Sequence, residues 1–399
     1  MTRWPRERLD WLVTEKRRTV DLSAITGNTV FHYSIPVFDE LGDGQLESIG
    51  DIGSGKLLLR GGEVLVSKLN PRLPRVLRAE VHEVLTVAST EFIALEPGPK
   101  VEARYLRYWL GSESLRQSLD GATMSVTRSQ QRVRPDVLTK MWVSFPSYST
   151  QRAIADFLDV EIAGTDAIID KKCRLVALLR ERKAGRIELV VRGLAATWGE
   201  ARLKFVVEDV TVGIVVTPAS WYVDEGVPAL RGTNVQPGEI LMDNMVHISE
   251  EGHAVHRKSS LRTEDVVVVR TGQAGVAAVV PATLGRANCI DLIVVRPGKL
   301  SPRFLEFVLN SDWTRKHIEE HSVGTIQSHF NVAAMKNLPV PRAPIEEQLI
   351  VVDILARQAS EIDEAMDRLN RQVALLRERR AALITAAVTG ELEIPGVTG

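Results

Sequence analysis

The chain repeats a block of roughly forty residues, and this repeat limits what it can fold into more than any other feature. "QRAIADFLDVEIAGTDAIIDKKCRLVALLRERKAGRIELVVRG" begins at Gln151 and "QLIVVDILARQASEIDEAMDRLNRQVALLRERRAALITAAVTG" at Gln348, aligned without a gap at an offset of 197 residues. The heptapeptide VALLRER is identical, and Asp156/Asp353, Leu158/Leu355, Asp166/Asp363, Asp170/Asp367 and Gly193/Gly390 also match. Self-similarity at a fixed offset marks a duplicated architecture. Fainter parallels precede each block: "LRGGEVLVSK" (59–68) with "LRTEDVVVVR" (261–270), "RYLRYWLGSESLR" (104–116) with "RFLEFVLNSDWTR" (303–315), and "VSFP" (143–146) with "LPVP" (338–341). The chain reads as variable domain, helix, variable domain, helix.

The repeated blocks are long helices. In the second, Leu355, Ala359, Ile362, Met366, Leu369, Val373, Leu376, Arg380, Leu383 and Ala387 step by alternating fours and threes, a heptad seam interrupted at Arg380. Acids gather at its start and bases at its end, matching the helix dipole. Pro341 and Pro344 lie just upstream and Gly390 supplies a stop. The first block carries the same seam through Leu158, Ile162, Ile169, Val176 and Leu179, but Thr165, Lys172, Lys183 and Arg186 also occupy it. Such a helix pairs poorly with its own copy and better with a partner that offers acids. At 1.5 Å per residue each helix spans about 60 Å, longer than a typical domain core. Two of them in one chain pack most simply as an antiparallel coiled coil with a variable domain at each end. The expected fold is α+β: two mixed domains at 1–147 and 199–343, a central long helix at 148–198, and a distal helix with its tail at 344–399. Within the domains, "EVLVSK", "DVVVVR" and "LIVVRPG" read as strands, and 103–119 and 302–318 as amphipathic helices.

Catalytic signatures are missing. "GDIGSGK" (50–56) lacks the final Ser/Thr of a phosphate-binding loop, and strand-like sequence follows where that loop needs a helix. Its glycines fit a turn before a strand beginning near Leu57. His247, His253 and His256 cluster in "VHISEEGHAVH", whose neighbours suggest a solvated loop rather than a metal site. Cys173 and Cys289 are too few for a zinc site or a disulfide framework, which fits a reducing compartment. No apolar run approaches a membrane span, and the N-terminal segment has no signal-like core, so a cytoplasmic protein is expected. The net charge of −1 hides local structure: six bases between Lys56 and Arg78 face only Glu63, and "VTRSQQRVR" (126–134) has three arginines and no acid. Local charge of one sign suits an anion-binding groove.

A duplicated variable domain followed by a helix that opens "P-x-x-EQ" and closes "LLRERR…VTGEL" resembles the specificity subunit of type I restriction-modification systems. The carriers are "PRAPIEEQLIVVDIL" (341–355) and "VALLRERRAALITAAVTGEL" (373–392), with counterparts at 146–158 and 176–193, where Ser149 and Thr150 replace the Glu-Glu of the second copy. The resemblance implies a non-catalytic scaffold that binds double-stranded DNA, each variable domain acting as a target-recognition domain for one half of a bipartite, asymmetric site. It further implies docking of two methyltransferase subunits on the helices, and restriction (translocase) subunits in the full complex. S-adenosylmethionine, ATP and Mg²⁺ would then sit on those partners, with no cofactor or metal on this chain and no role at a membrane. The alternative is a coiled-coil adaptor whose end domains bind proteins.

Phosphate contacts call for Arg, Lys or backbone N–H, and base readout for Arg, Asn or Gln. In the first domain the candidates are Lys68, Arg72, Arg75, Arg128, Gln131, Arg132 and Arg134. In the second they are Arg231, Asn234, Arg270, Gln273, Gln327 and His329.

Overall fold

The structure is a computed structural model that describes the chain except residues 1–3, 26, 54, 71, 72, 74, 121–131, 321–329 and 396–399. Two helices dominate it, Tyr148–Trp198 with 51 residues and Ile345–Thr389 with 45. The second stops at Gly390, in the left-handed region at φ +79°, with the N–H groups of Glu391 and Leu392 returning to the Ala386 carbonyl. The first runs through the equivalent Gly193 and ends at Gly199, φ +69°. No described helix is long and apolar enough to cross a membrane.

The chain divides into two compact units, Met1–Cys173 with Arg371–Gly399, and Arg174–Asn370. Each unit therefore holds one variable domain and a part of both long helices. In the first unit a four-stranded antiparallel sheet runs Val13–Lys16, Phe92–Pro97, Val64–Ser67, Val76–Arg78. A five-stranded sheet beside it runs Thr19–Val20, Lys56–Leu59, Thr86–Ala88, Thr29–Tyr33, Gln45–Ser48. The second unit repeats the first of these sheets as Asp209–Val212, Leu292–Arg296, Val266–Val269, Ala277–Val279. Its other main sheet has four strands, Tyr222–Val223, Val246–Ile248, Val227–Leu230 and Asn288–Cys289. The runs read as strands in the sequence are the central, buried members, as their unbroken Val/Leu/Ile content requires.

Each domain core continues into its own stretch of the helix pair. In the first unit Leu9, Tyr105, Leu106 and Leu138 share a core with Ile154, Leu158 and Ile162 of the first helix and Ile384, Ala387 and Val388 of the second. In the second unit Phe304, Leu305, Phe330 and Met335 share one with Val191, and Val351 and Val352 pack against it.

The two helices run antiparallel within each unit. Of the seam residues, Leu158, Ile162, Ile169, Val176, Leu355 and Val373 are buried, and Leu179, Ile362, Met366, Leu369, Leu376 and Leu383 are half-buried. Apart from Thr165, which donates to the Glu161 carbonyl of its own helix, the polar seam positions meet polar partners across the pair. In the first unit Lys172 Nζ donates to Gln372 Oε1 at 2.6 Å, and Arg380 Nε lies 3.0 Å from Asp166 Oδ1. In the second, Lys183 Nζ bonds both Asp363 oxygens at 2.7 and 2.8 Å, and Arg186 Nε donates to Gln358. Arg380 thus fills the interruption with an ion pair.

Two local expectations need correction. The amphipathic stretches at 103–119 and 302–318 are not single helices: each breaks in two, at Gly111–Ser112 and at Asn310–Ser311. The cause is a buried serine. Ser112 Oγ donates to the Trp109 carbonyl and Ser311 Oγ to that of Val308, while each accepts an N–H from the first turn of the next helix. The histidines of 247–256 do not form a solvated loop either. A strand (Val246–Ile248) holds His247, a helix (Glu250–Val255) holds His253 and is capped by His256, and His253 is buried with Nδ1 3.3 Å from Asn288 Nδ2. Burial, with Arg286 nearby, lowers the pKa of His253 from its usual value.

Candidate nucleic-acid interface

The "GDIGSGK" stretch forms a short 3₁₀ turn at Ile49–Asp51 and leads into the strand Lys56–Leu59. Lys56 is buried, its ammonium donating to the Gly53 carbonyl at 2.5 Å, so it braces the turn rather than facing a ligand. Among the described residues no group of three His, Cys, Asp or Glu side chains is placed to hold a metal ion.

Basic residues distant in sequence come together in the first unit. The strand ending at Ser67 carries Lys68 to its tip, where the Lys68 carbonyl accepts the Val133 N–H at 2.9 Å and Leu69 bridges to Arg132. Lys68 therefore lies beside Arg132 and Arg134. An open groove of about 490 Å³, lined by Glu15, Lys16, Arg17, Lys68, Thr90 and Asp136, runs along this edge. Arg132 forks onto Glu91 at 3.0 and 3.1 Å and Arg134 reaches Asp136 at 3.1 Å, with side chains 63% and 73% exposed. Pairs this exposed are worth under about 1 kcal/mol, so a phosphate can displace the carboxylate. Lys68 donates to the Thr90 carbonyl at 2.7 Å.

Arg17, exposed, lines this groove, and Arg18, also exposed, follows it in the chain. Arg17 is paired to Glu15 at 2.6 Å, and this hydrogen bond raises its pKa further. Sequence reasoning passed over them, although a run of three bases at Lys16–Arg18 was the signal. Arg75 has a different place. It is buried, with Nε and Nη2 gripping both Asp39 oxygens at 2.6 and 2.8 Å, and this hydrogen bonding pulls the Asp39 pKa below the usual carboxylate value.

The second unit repeats the strand-tip geometry. The Arg270 carbonyl accepts the Phe330 N–H at 3.0 Å, and Phe330 stands 197 residues after Val133. Its charge is better enclosed. The Arg270 guanidinium lies 3.2 Å from Asp291, with its side chain 17% exposed. Gln273 is exposed on the following turn, between Gly272 at φ +83° and Gly275 at φ +93°. At φ +93° Gly275 holds a left-handed backbone that strains any other residue. Arg231 is half-buried and donates to the Asn244 carbonyl. Asn234 is enclosed: its Oδ1 accepts the Arg231 N–H and its Nδ2 serves the Leu241 and Asp243 carbonyls. Its amide, like the Arg75 guanidinium, is taken up by bonds inside the fold. Arg72, Arg128, Gln131, Gln327 and His329 lie outside the described residues.

Comparison with known proteins fits this doubled plan. The chain is 23% identical over 172 residues to the EcoBI specificity subunit of type I restriction enzymes from Escherichia coli, covering 43% of this chain and 36% of that one. Its relatives are type I specificity subunits. The StySPI specificity subunit from Salmonella potsdam is likewise 23% identical over 176 residues, 42% of this chain and 37% of that one. The matched stretches thus span little more than a third of these relatives. No family model matches. A chain from a structural study of complex assembly and conformational transition in a type I R-M system superposes with a TM-score of 0.68 at 18% identity, covering 98% of both chains. The fold is therefore shared across the whole length, whereas the sequence likeness is local.

Proposed function

We propose that the chain is the DNA-recognition subunit of a type I restriction-modification complex, reading a bipartite, asymmetric site with one domain per half. The observation that carries this is the doubled unit: one plan, a basic or polar strand tip beside the same backbone pairing, built twice with different side chains. Different side chains at equivalent places imply different half-site sequences, and the long helices set the unread gap between them. On this reading the chain has no catalytic role and binds no cofactor. Two modification subunits dock on its helices and bring S-adenosylmethionine; restriction subunits bring ATP and Mg²⁺. It works in the cytoplasm, where such complexes meet DNA.

DNA affinity of the chain assembled with its modification subunits tests the reading. Affinity falls steeply with salt, and replacing Arg17, Arg132 and Arg134 by Ala flattens the slope of log affinity against log salt by about 0.9 for each residue that meets a phosphate. Gln273→Ala instead relaxes the base preference in one half-site. Affinity that ignores salt and sequence would favour the protein-binding adaptor.

A further inference from the structure

The glutamine that opens each repeated block is the least exposed polar residue on its long helix, Gln151 at 1% and Gln348 at 2%. Neither side chain faces a ligand or solvent. Gln151 Oε1 accepts the Glu102 N–H at 2.9 Å, while its Nε2 donates to the carbonyls of Pro146 at 2.8 Å and Lys100 at 3.0 Å. Gln348 Oε1 accepts the Ser301 N–H at 2.9 Å and Nε2 donates to the Ala343 carbonyl at 2.8 Å. Glu102 and Ser301 are the N-caps of the domain helices Ala103–Leu110 and Pro302–Leu309. Each amide therefore ties three things together: the long helix, the chain entering it, and the first residue of the domain's main helix.

Apolar packing is non-directional and tolerates small rotations, whereas hydrogen bonds hold an angle. One planar amide that both donates and accepts is the smallest group able to fix all three partners. We infer that Gln151 and Gln348 are positioning residues: each sets the angle at which its domain stands on its helix, and thereby the gap length the protein accepts between half-sites. The inference rests on the bipartite reading above.

The two joints differ in how much else holds them. In the first unit Arg104 also bonds Asp156 at 2.8 Å and Asp159 at 2.7 Å, and Tyr108 donates to Asp159. The equivalent positions in the second unit are Arg303, Asp353, Ala356 and Phe307, where Arg303 turns to Glu306 and Asp353 to Arg357, each on its own helix. Gln348 carries more of its joint than Gln151.

The test is methylation of a DNA library whose gap varies by one or two base pairs, by the full chain assembled with its modification subunits. The wild type favours one gap. Gln348→Leu raises methylation at neighbouring gaps, relative to the best one, by about tenfold, the scale of one or two lost hydrogen bonds. Gln151→Leu raises it by less. Gln348→Glu keeps the acceptor and loses the donor, gives an intermediate broadening, and serves if the leucine variant does not fold. Leu355→Ala, which weakens the same helix without touching the amide, lowers methylation at all gaps alike. A sharp wild-type preference that stays equally sharp in Gln348→Leu and Gln348→Glu overturns the inference alone. A wild type with no gap preference overturns the bipartite reading, and the inference with it.

Discussion

The two units are one design executed with different chemistry. Both seat a domain core on an antiparallel helix stretch, and both bury a glutamine at the joint. Around that shared frame the first unit gathers more charged side chains than the second. Arg104 sits among Glu102, Asp156 and Asp159 in the first, while in the second Phe307 and Ala356 stand for Tyr108 and Asp159, and Arg303 and Asp353 pair within their own helices. The strand tips diverge in the same sense. Lys68 stands beside the exposed Arg132 and Arg134, whereas Arg270 is held in by Asp291. The difference separates what the fold needs, a heptad seam and a fixed joint, from what each domain is free to vary.

The shared frame predicts equal costs, and this is the largest effect. Leu158 and Leu355 are both buried at equivalent seam positions, at 0% and 3% exposure. Truncating either to Ala costs about 3 kcal/mol in denaturant unfolding. A cost in one unit at least twice that in the other would break the equivalence.

The joints predict unequal costs. Arg104→Ala takes from Asp159 its closest cation, leaving it the Tyr108 hydroxyl and Arg107 at 3.9 Å, and costs about 2 kcal/mol, because the Arg104 side chain is only 28% exposed. Tyr108 has its pKa raised to about 12 by burial and by Asp159, so it stays a hydrogen-bond donor at every ordinary pH. Arg303→Ala, at the equivalent position with a side chain 56% exposed, costs less, about 1 kcal/mol, because the buried Glu306 keeps the Val279 N–H at 2.8 Å. Equal losses in the two variants would erase the contrast.

The smallest effects differ in their sign with pH. Asp39, held by Arg75 in the first unit, has its folded pKa lowered, so its contribution is present above the unfolded carboxylate value near 4 and is lost as pH falls through the folded value. Asp39→Asn should destabilise at pH 7 and progressively less below about pH 4. Asp265 in the second unit is buried, and burial raises its pKa. Its folded state favours the proton, so stability falls as pH rises from the unfolded value through the folded one. Asp265→Asn should therefore be neutral or stabilising at pH 7. Urea midpoints of the two variants at pH 3 and pH 7 check both signs, and matching trends would contradict the assignment.

How much of this was legible in the sequence follows from the range of the interactions. The long helices and their seam were legible because period and repeat are local properties, and the misfit Lys183 announced the acid that meets it, although Lys172 meets an amide. The buried strands were legible from unbroken apolar runs. The helix breaks at Ser112 and Ser311 were not, because a serine in an amphipathic pattern gives no sign that its hydroxyl will cap the next turn. Nor was the fate of Arg75 and Asn234. An arginine in a basic cluster looks like a phosphate clamp until the fold brings up an aspartate from 36 residues away. Arg17 was visible but unread, because its neighbourhood on the groove exists only once the sheet has formed.

The central claim is that two dissimilar domains each read their own half of one site. Mapping the sequences methylated by the complex that contains this chain, across a genome or a random library, tests it most directly. The account predicts two short specific elements of different sequence, separated by a stretch of fixed length and free composition. A single uninterrupted motif, or two identical half-sites, would contradict it.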